Sequence, residues 1–316
     1  MSYLAPIPEE LQQVEYVKLY FHLQLKDTFD LPQAALLQLR RELLQALKTL
    51  EGWGGEDIAL LKNLLQPPVS QDPQVRRIAQ KPAPAFVLQP NLDICGHIEA
   101  QQRIVLPVLF VGQAVQAVNA FVSLWEMLGQ QGLYYGSGRF QLEGVESEDA
   151  SGVRAMLWSE GCKVSITPPV SELHWWLERQ PAVEEWLALE IVSPMRLLKK
   201  GKPLFRADFK ELFPFLLRRV SALLTSHADV EIIKEPRFWQ AIADAAREAE
   251  NSLQWHDWRT LHGPEKSQDL GGLMGRICLT AEGLEEILWI LRLGSLFNVG
   301  KGAAYGFGQY RLRTYC

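Results

Sequence analysis

The sequence has few of the residues on which metal sites and disulfide frameworks depend. Its 316 residues include only four cysteines, and no two of them form a C-x-x-C pair. Neither a disulfide framework nor a zinc site is therefore predicted. The sequence also lacks H-E-x-x-H, G-x-S-x-G and paired-aspartate motifs, so any catalysis is expected to be acid–base chemistry without a metal or other cofactor. Because no signal-peptide pattern is found, we expect a cytoplasmic protein.

A membrane-spanning segment is not predicted either. One uncharged stretch, Ile104 to Trp125, is long enough to cross a bilayer. Pro107, Gly112 and several amide side chains interrupt it, and its apolar residues recur at helical spacing from Gln113 onward. The stretch is predicted to be a buried strand followed by an amphipathic helix. A net charge of −5 argues against a surface that is basic throughout, but it leaves room for a local basic patch.

Alternation of apolar and polar residues predicts the first strand. In "VKLYFHLQLK" every second side chain from Val17 to Leu25 is apolar, so one face of the strand is core and the other is polar. Further patterns predict, in order, a helix to about Leu50, a proline-rich irregular connection and edge over 66–90, a strand over 103–111, a helix over 113–128 and the strand "RFQLEGV".

The second half of the chain repeats this order. Its predicted elements are a strand over 186–193, helices in "FKELFPFLLRRVSALLTS" and around "PRFWQAIADAAREAE", the strand "GRICLT", a helix over 284–293 and the strand "QYRLR". Both halves end in "LG", a glycine-rich stretch and a strand, which an internal duplication or chance could explain. The predicted fold is α+β with tandem ferredoxin-like (RRM-like) domains, at residues 1–150 and 185–316, joined by a connecting segment at 151–184.

A glycine-rich stretch, "FNVGKGAAYGFGQYRL", precedes the last strand. Phosphate-binding loops need a strand before the glycines and a helix N-terminus after them. Here a helix comes first and a strand follows, so a nucleotide site is not predicted. The glycines are instead expected to let the backbone come close to something bulky, such as a facing sheet or a sugar-phosphate chain.

The most basic stretch follows the first strand of the second half. In "PMRLLKKGKPLFRADFK" six lysines and arginines, among them Arg196, Lys199, Lys200 and Lys202, accompany a single acid. Such a cluster suits phosphate contacts, although a solvated loop explains it equally well when it is taken alone. The neighbouring glycine stretch adds Lys301 and Tyr305 to the phosphate interpretation.

Histidines supply the candidates for acid–base chemistry. His22 lies on the polar face of the first strand beside Lys18 and Tyr20, an environment that suits proton transfer on a phosphodiester, although an exposed strand histidine is the simpler interpretation. His262 follows "DWRTL" in a predicted loop, with Lys266 close behind.

Several stretches resemble a known family. The C-terminal "GGLMGRICLTAEGLEEILWILRLGSLFNVGKGAAYGFGQYRL" resembles the glycine-rich signature of the CRISPR-associated endoribonucleases of the RAMP superfamily, which cut precursor CRISPR RNA within each repeat. "PAPAFVLQP", "LFVGQAVQAVNAFVSLWEMLGQQGLYYGSGRFQLEGV" and "LALEIVSPMRLLKKGK" are similar, in order, to blocks of one subfamily. The resemblance implies two ferredoxin-like domains with repeat RNA held by the glycine loop and a basic cleft.

The resemblance also implies a chemistry. The ribose 2′-OH attacks the scissile phosphate without a metal and leaves a 2′,3′-cyclic phosphate and a 5′-OH. A base takes the 2′ proton, an acid protonates the leaving 5′ oxygen and a cation stabilises the phosphorane charge. This chain departs from the family pattern in three places. Asn298 stands where relatives commonly have histidine, no histidine lies between Leu31 and Leu50, and "RTLHG" keeps Arg259 but lacks the usual tyrosine.

The charge and histidine patterns, together with the family resemblance, give the predicted functional residues. His22 and His262 are predicted to carry protons, and Lys266 is predicted to stabilise the charge of the transition state. The predicted RNA contacts are Arg196, Lys199, Lys200, Lys202, Arg259, Gly300, Lys301, Gly302, Tyr305, Gly306 and Gly308.

Three functions remain open at this point. The first is a metal-independent endoribonuclease that acts on CRISPR repeat RNA, in possible association with other subunits of a CRISPR effector complex. The second is a catalytically inactive RAMP-fold subunit that binds repeat RNA. The third is a small-molecule enzyme of α+β fold, which the acidic composition allows.

Overall fold

A computed structural model describes residues 6–54, 57–69, 71, 76, 82–159, 167–257 and 270–315. The elements of the first half are β1 (Glu15–Leu25), β2 (Phe29–Leu31), α1 (Leu39–Gly52), α2 (Ile58–Leu65), β3 (Phe86–Leu88), β4 (Gly96–Ile98), β5 (Arg103–Val111), α3 (Val118–Gln131), β6 (Phe140–Glu148) and β7 (Arg154–Ser159). Those of the second half are β8 (Ser171–Glu172), α4 (Leu173–Glu178), β9 (Trp186–Met195), β10 (Leu198–Lys199), β11 (Lys202–Pro203), α5 (Phe209–His227), α6 (Pro236–Ala245), β12 (Glu248–Asn251), β13 (Gln254–His256), β14 (Gly272–Thr280), α7 (Leu288–Phe297) and β15 (Tyr310–Arg313).

The first half folds around an antiparallel sheet with the order β3-β5-β1-β6-β7. The alternation in β1 has the predicted result, because Val17, Leu19 and Phe21 are all buried in the core beneath the helices. Phe21 lies 5.8 Å from Phe121 and 5.6 Å from Trp125, measured between ring centroids, and these two aromatic side chains belong to α3. Burial of each such side chain stabilises the fold by about 1.5–3 kcal/mol.

The second half has the same arrangement. Its sheet has the order β12-β14-β9-β15, so the strand that begins the unit is again central, between the third strand and the last. In both halves the strands follow a β-α-β-β-α-β order, which is the ferredoxin-like topology, with one additional helix, α2 or α6, in the first connection. The predicted α+β fold with tandem ferredoxin-like domains is therefore confirmed, while the boundaries at 1–150, 151–184 and 185–316 stay a prediction.

The two halves share a continuous apolar interface. Tyr16, Leu109 and Val111 belong to the first sheet, yet they pack into the core cluster that is built mainly from α5, α7 and the second sheet. Side-chain hydrogen bonds also cross the interface, since the Gln89 amide donates to the carbonyl oxygen of Leu296 at 2.9 Å. The end of β3 is thus fixed against the end of α7.

Some elements differ from the sequence predictions. The proline-rich stretch, predicted as irregular connection and edge, contains the short edge strand β3, whereas α2 was not predicted at all. The helix expected around "PRFWQAIADAAREAE" ends at Ala245, and residues 248–251 form a strand that pairs with β14. Edge pairing here overrides a local helical pattern. Cys278 is disulfide-bonded, which the wide spacing of the cysteines did not predict. None of the described helices is long and apolar enough to span a membrane.

Candidate functional site

The glycine-rich stretch forms a loop, residues 298–309, that lies against the end of β9. The backbone nitrogen of Lys301 donates to the carbonyl oxygen of Arg196 at 2.8 Å, and that of Gly308 donates to Pro194 at 3.0 Å. The buried hydroxyl of Ser193 donates to the carbonyl oxygen of Gly306 at 2.7 Å. These bonds fix the glycine loop to the backbone that leads into the basic stretch.

The glycines of this loop are required by close backbone contacts. Gly300 and Gly308 have φ values of 100° and 64°, which side-chain-bearing residues rarely adopt. A Cβ atom on Gly300 would lie 2.6 Å from the carbonyl oxygen of Arg196, and one on Gly308 would collide with that of Val299. A Cβ atom on Gly306 would lie 2.7 Å from Pro90 of the first domain. Packing within the protein therefore explains these glycines, and their contact with RNA stays a prediction.

Tyr305 fastens the glycine loop to the first domain. Its hydroxyl donates to the carbonyl oxygen of Leu65 at 3.3 Å, and its ring meets Phe86 edge-on with the centroids 5.4 Å apart. Burial raises the pKa of Tyr305 to about 12, and the neighbouring Arg40 guanidinium opposes that rise. The side chain of Tyr305 is enclosed by protein, and its predicted role as an RNA contact stays untested.

Asn298 makes the second connection between the loop and the first domain. Its side chain is fully buried, and its amide nitrogen donates to the carbonyl oxygens of Leu88 at 3.0 Å and Ala303 at 3.1 Å. Its φ of 55° is combined with a ψ of 165°, which lies outside the left-handed helical region where asparagine is enriched, so the buried hydrogen bonds have to hold this conformation. The residue that departs from the family pattern thus has a structural role in this chain.

The predicted lysines lie on a short hairpin formed by β10 and β11. Lys200 and Gly201 occupy its two-residue turn with φ values of 51° and 79°, as a type I′ turn requires. Lys199, Lys200 and Lys202 are exposed. Lys199 pairs with Glu211 at 3.3 Å, whereas in the described part of the chain Lys200 and Lys202 have no ion pair. The carbonyl oxygen of Arg196 accepts a hydrogen bond from Lys301 N. The backbone that leads into this lysine hairpin therefore also holds the backbone of the exposed Lys301.

His22 lies on β1 in the middle of the first sheet. Its Nε2 atom is 3.2 Å from the Glu146 Oε2 atom on β6, and about a fifth of its side chain is exposed. Glu148 on the same face accepts from Lys18 at 2.6 Å and from Tyr20. Burial favours a higher pKa for Glu148, but the hydrogen bond and charge of Lys18 hold that pKa below its usual value. The described polar contacts of His22 are with its own sheet.

Three of the predicted site residues have no described position relative to His22. His262, Lys266 and Arg259 lie outside the described residues, so their assignments stay predictions. Within the residues that the structure describes, no group of three or more histidine, cysteine, aspartate or glutamate side chains is arranged to hold a metal ion.

Two arginines at the start of α1 were not among the predicted functional residues. The Arg40 guanidinium is close enough to the Tyr305 hydroxyl to oppose the rise of its pKa, and the Arg41 guanidinium carbon lies 3.3 Å from the ring centroid of the exposed Tyr135. Through Arg40 the start of α1 borders the glycine loop. Two adjacent arginines in "LRREL" were the available signal, but a helical pattern accounts for them as solvent-facing residues.

The sequence matches two family profiles. That of the CRISPR-associated endoribonuclease Cas6 matches residues 189–310, and that of an N-terminal domain matches residues 12–169. No curated protein sequence matches the chain.

Solved structures share the fold over nearly the whole chain. A partial Cas6-RT-Cas1–Cas2 complex matches with a TM-score of 0.58 and 15% identity over 95% of this chain and 46% of the other, so this chain spans less than half of that relative. A Cas6 product complex has a TM-score of 0.53 and 15% identity, with 94% and 99% of the two chains covered. Cas6 from Thermus thermophilus has a TM-score of 0.51 and 14% identity, with 95% and 99% covered.

The close contact at Gly308 predicts a large loss of stability on substitution. Gly308→Ala would place a methyl group against the Val299 carbonyl, whereas Gly136→Ala adds one at a φ of 85° with no atom within 4 Å. We expect the Gly308 variant to lose at least about 2 kcal/mol more than the Gly136 variant in urea unfolding. Equal losses would mean that backbone conformation, and not the contact, selects glycine there.

The two donated bonds of Asn298 predict a pH-dependent effect of Asn298→Asp. The introduced carboxylate would face two carbonyl oxygens in a buried site, so its folded pKa rises above the unfolded value. Relative to the parent, the variant should therefore lose more stability at pH 8 than at pH 4. Asn91→Asp is the control, because exposed Asn91 accepts a bond from Asp93 N at 3.1 Å through its oxygen. A loss independent of pH, measured by urea unfolding, would contradict this account.

Proposed function

We propose that this chain, which belongs to the CRISPR-associated endoribonucleases of the RAMP superfamily, binds CRISPR repeat RNA and cleaves the precursor within each repeat. The observation that carries the proposal is the hydrogen bond from Lys301 N to Arg196 O, which joins the glycine loop to the backbone that leads into the lysine hairpin. It concentrates positive charge on one surface of a protein whose net charge is −5. Phosphate binding depends on such local charge.

The proposed reaction is attack of the ribose 2′-oxygen on the adjacent phosphorus. The new 2′ O–P bond forms as the 5′ O–P bond breaks, giving a 2′,3′-cyclic phosphate and a 5′-hydroxyl. A base removes the 2′ proton, and an acid protonates the leaving oxygen. We assign His22 and His262 to the proton transfers and Lys266 to the phosphorane charge. The Glu146 carboxylate, 3.2 Å from His22 Nε2, supports this role because it orients the imidazole on the polar face of the first sheet.

RNA contact is proposed first for the cations of the basic stretch and the glycine loop, of which Arg196 is partly buried and the lysines are exposed. Arg196, Lys199, Lys200, Lys202 and Lys301 supply charge to phosphates, and Arg259 is proposed to join them. For Gly300, Gly302, Tyr305, Gly306 and Gly308 we propose that they hold the loop backbone at the RNA surface, since packing already accounts for their contacts.

The similar structures support the choice of partners. One of them is a Cas6 product complex, and another is a Cas6-RT-Cas1–Cas2 complex. By analogy we propose repeat RNA as the first partner and other CRISPR subunits as further ones. We also propose the division into residues 1–150, 151–184 and 185–316, and action in the cytoplasm.

A second candidate function is repeat-RNA binding without cleavage. Asn298 favours it, because this position carries a buried structural amide where relatives commonly have a histidine. The first helix likewise has no histidine between Leu31 and Leu50. Binding would then depend on the lysine hairpin, while cleavage would be carried out by another protein.

Cleavage of repeat RNA in EDTA separates these two functions. We expect site-specific cleavage of the all-ribose RNA and none of a copy with 2′-deoxyribose at the cut. His22→Ala should slow cleavage by about 10²- to 10⁴-fold. His97→Ala is the control, since His97 is exposed and bonded to Asp30 at 2.7 Å on the β2–β4 ribbon. Equal rates for both variants would remove His22 from the mechanism, and binding without cleavage would favour the second candidate.

The lysine hairpin predicts a change in the salt dependence of binding. Lys200→Ala with Lys202→Ala should weaken repeat-RNA binding and reduce the slope of log K against log salt by about 0.7–0.9 for each phosphate that is no longer neutralised. Lys48→Ala with Lys234→Ala removes the same charge from exposed sites elsewhere. Filter binding from 50 to 300 mM salt, about the range over which such interactions weaken, measures both slopes. Identical slopes in the two variants would exclude the hairpin as the phosphate-binding element.

A further inference from the structure

Two aromatic side chains are in contact at the surface next to the lysine hairpin. Phe205 and Trp255 have ring centroids 4.7 Å apart and planes inclined at 60°. Phe205 is 59% exposed, which is unusual for so large an apolar side chain. It follows directly on the hairpin, whose pairing is extended by the bond from Leu204 N to Leu197 O at 3.0 Å. The hairpin therefore determines where Phe205 lies.

The Trp255 ring is held from behind. A Cβ atom on Gly271 would lie 2.8 Å from the Trp255 ring, so the indole packs directly on that backbone. The residue belongs to β13, which pairs with β14 of the second sheet. The aromatic pair thus combines a ring fixed to the sheet with a ring open to solvent, and the apolar surface is already formed without a ligand.

Positive charge surrounds this pair. The Arg196 guanidinium carbon lies 5.9 Å from the Trp255 ring centroid, and the same residue accepts the bond from Lys301 N that fixes the glycine loop. On the other side, Phe205 is close in sequence to Lys202 and Arg206, both exposed. We use the name strip for Arg196 beside the Trp255 ring, the lysine hairpin that precedes Phe205 in the chain, and Lys301, whose backbone is bonded to Arg196.

Aromatic rings between cations suit one chemistry in particular. Each nucleotide of a single strand offers a flat base that stacks on an aromatic ring and a phosphate that pairs with lysine or arginine. In a duplex the base faces are already stacked on each other, so they are not open to a side chain. An apolar protein partner would not account for the cations along the strip.

We propose that Phe205 and Trp255 form a stacking surface for unpaired bases of the RNA, a proposal that rests on the RNA-binding function proposed above. The proposed substrate is thereby narrowed from RNA in general to RNA with unpaired bases. The bound RNA has a single-stranded segment beside the phosphates that the lysine hairpin contacts, and the aromatic pair distinguishes this segment from duplex.

The test compares RNA binding by variants of Phe205. Phe205→Ala should weaken binding of a repeat RNA with unpaired flanks by about 5- to 100-fold. Binding of a fully paired RNA of the same length should not change. Phe205→Leu keeps an apolar side chain and should fail like alanine, while Phe205→Tyr should restore affinity. Phe238→Ala is the matched control, because Phe238 is 52% exposed and meets the Trp239 ring edge-to-face with centroids 5.2 Å apart.

The outcomes separate this proposal from the function on which it rests. If the parent protein binds neither RNA, RNA binding itself is refuted. If the parent binds and Phe205→Ala binds the unpaired RNA equally well, only the stacking surface is refuted. Equal losses on paired and unpaired RNA, or full affinity in Phe205→Leu, would also overturn it. Circular dichroism checks folding, and the leucine and tyrosine variants carry the test where the alanine variant does not fold.

Discussion

The arrangement of the candidate site depends on one steric constraint, the close approach of the glycine loop to the backbone at the end of β9. The Cα atom of Gly300 lies where no side chain fits, against the carbonyl oxygen of Arg196, and that of Gly308 lies against the carbonyl oxygen of Val299 within the loop. Because of this approach the loop stays in hydrogen-bonding distance of Pro194 and Arg196. The loop then reaches the first domain, where Tyr305 and Asn298 bond to backbone carbonyls. The contacts of the glycine loop thus connect the second sheet with the first domain.

The same constraint determines where charge is concentrated. A chain with a net charge of −5 repels nucleic acid on average, so binding requires that cations be gathered locally. The backbone of Arg196 does this, because it leads into the lysine hairpin on one side and accepts the Lys301 bond on the other. The hairpin turn needs positive φ at Lys200 and Gly201, so the turn geometry fixes the direction of its lysines. Backbone geometry, and not overall composition, therefore produces the basic surface.

The sequence was sufficient for those features that depend on local patterns. Alternation identified β1 and the repeated order of elements identified the two ferredoxin-like units. The partners of the key side chains could not be predicted, because they are distant along the chain. Tyr305 bonds to Leu65 and His22 faces Glu146, and no periodicity encodes such pairs. The strand β12 was likewise missed, since its pairing with β14 overrides a helical local pattern.

Asn298 shows how architecture and chemistry are separable in this fold. Its amide nitrogen donates hydrogen bonds to two backbone carbonyls. An amide cannot carry a proton at neutral pH, but it satisfies two buried acceptors that would otherwise cost about 1–3 kcal/mol each. Asn298 therefore serves the geometry of the loop and does not supply a proton carrier. The cleavage proposed above would have to take its proton carriers from other elements, as proposed for His22, whose Nε2 atom lies 3.2 Å from the Glu146 carboxylate on the polar face of the first sheet.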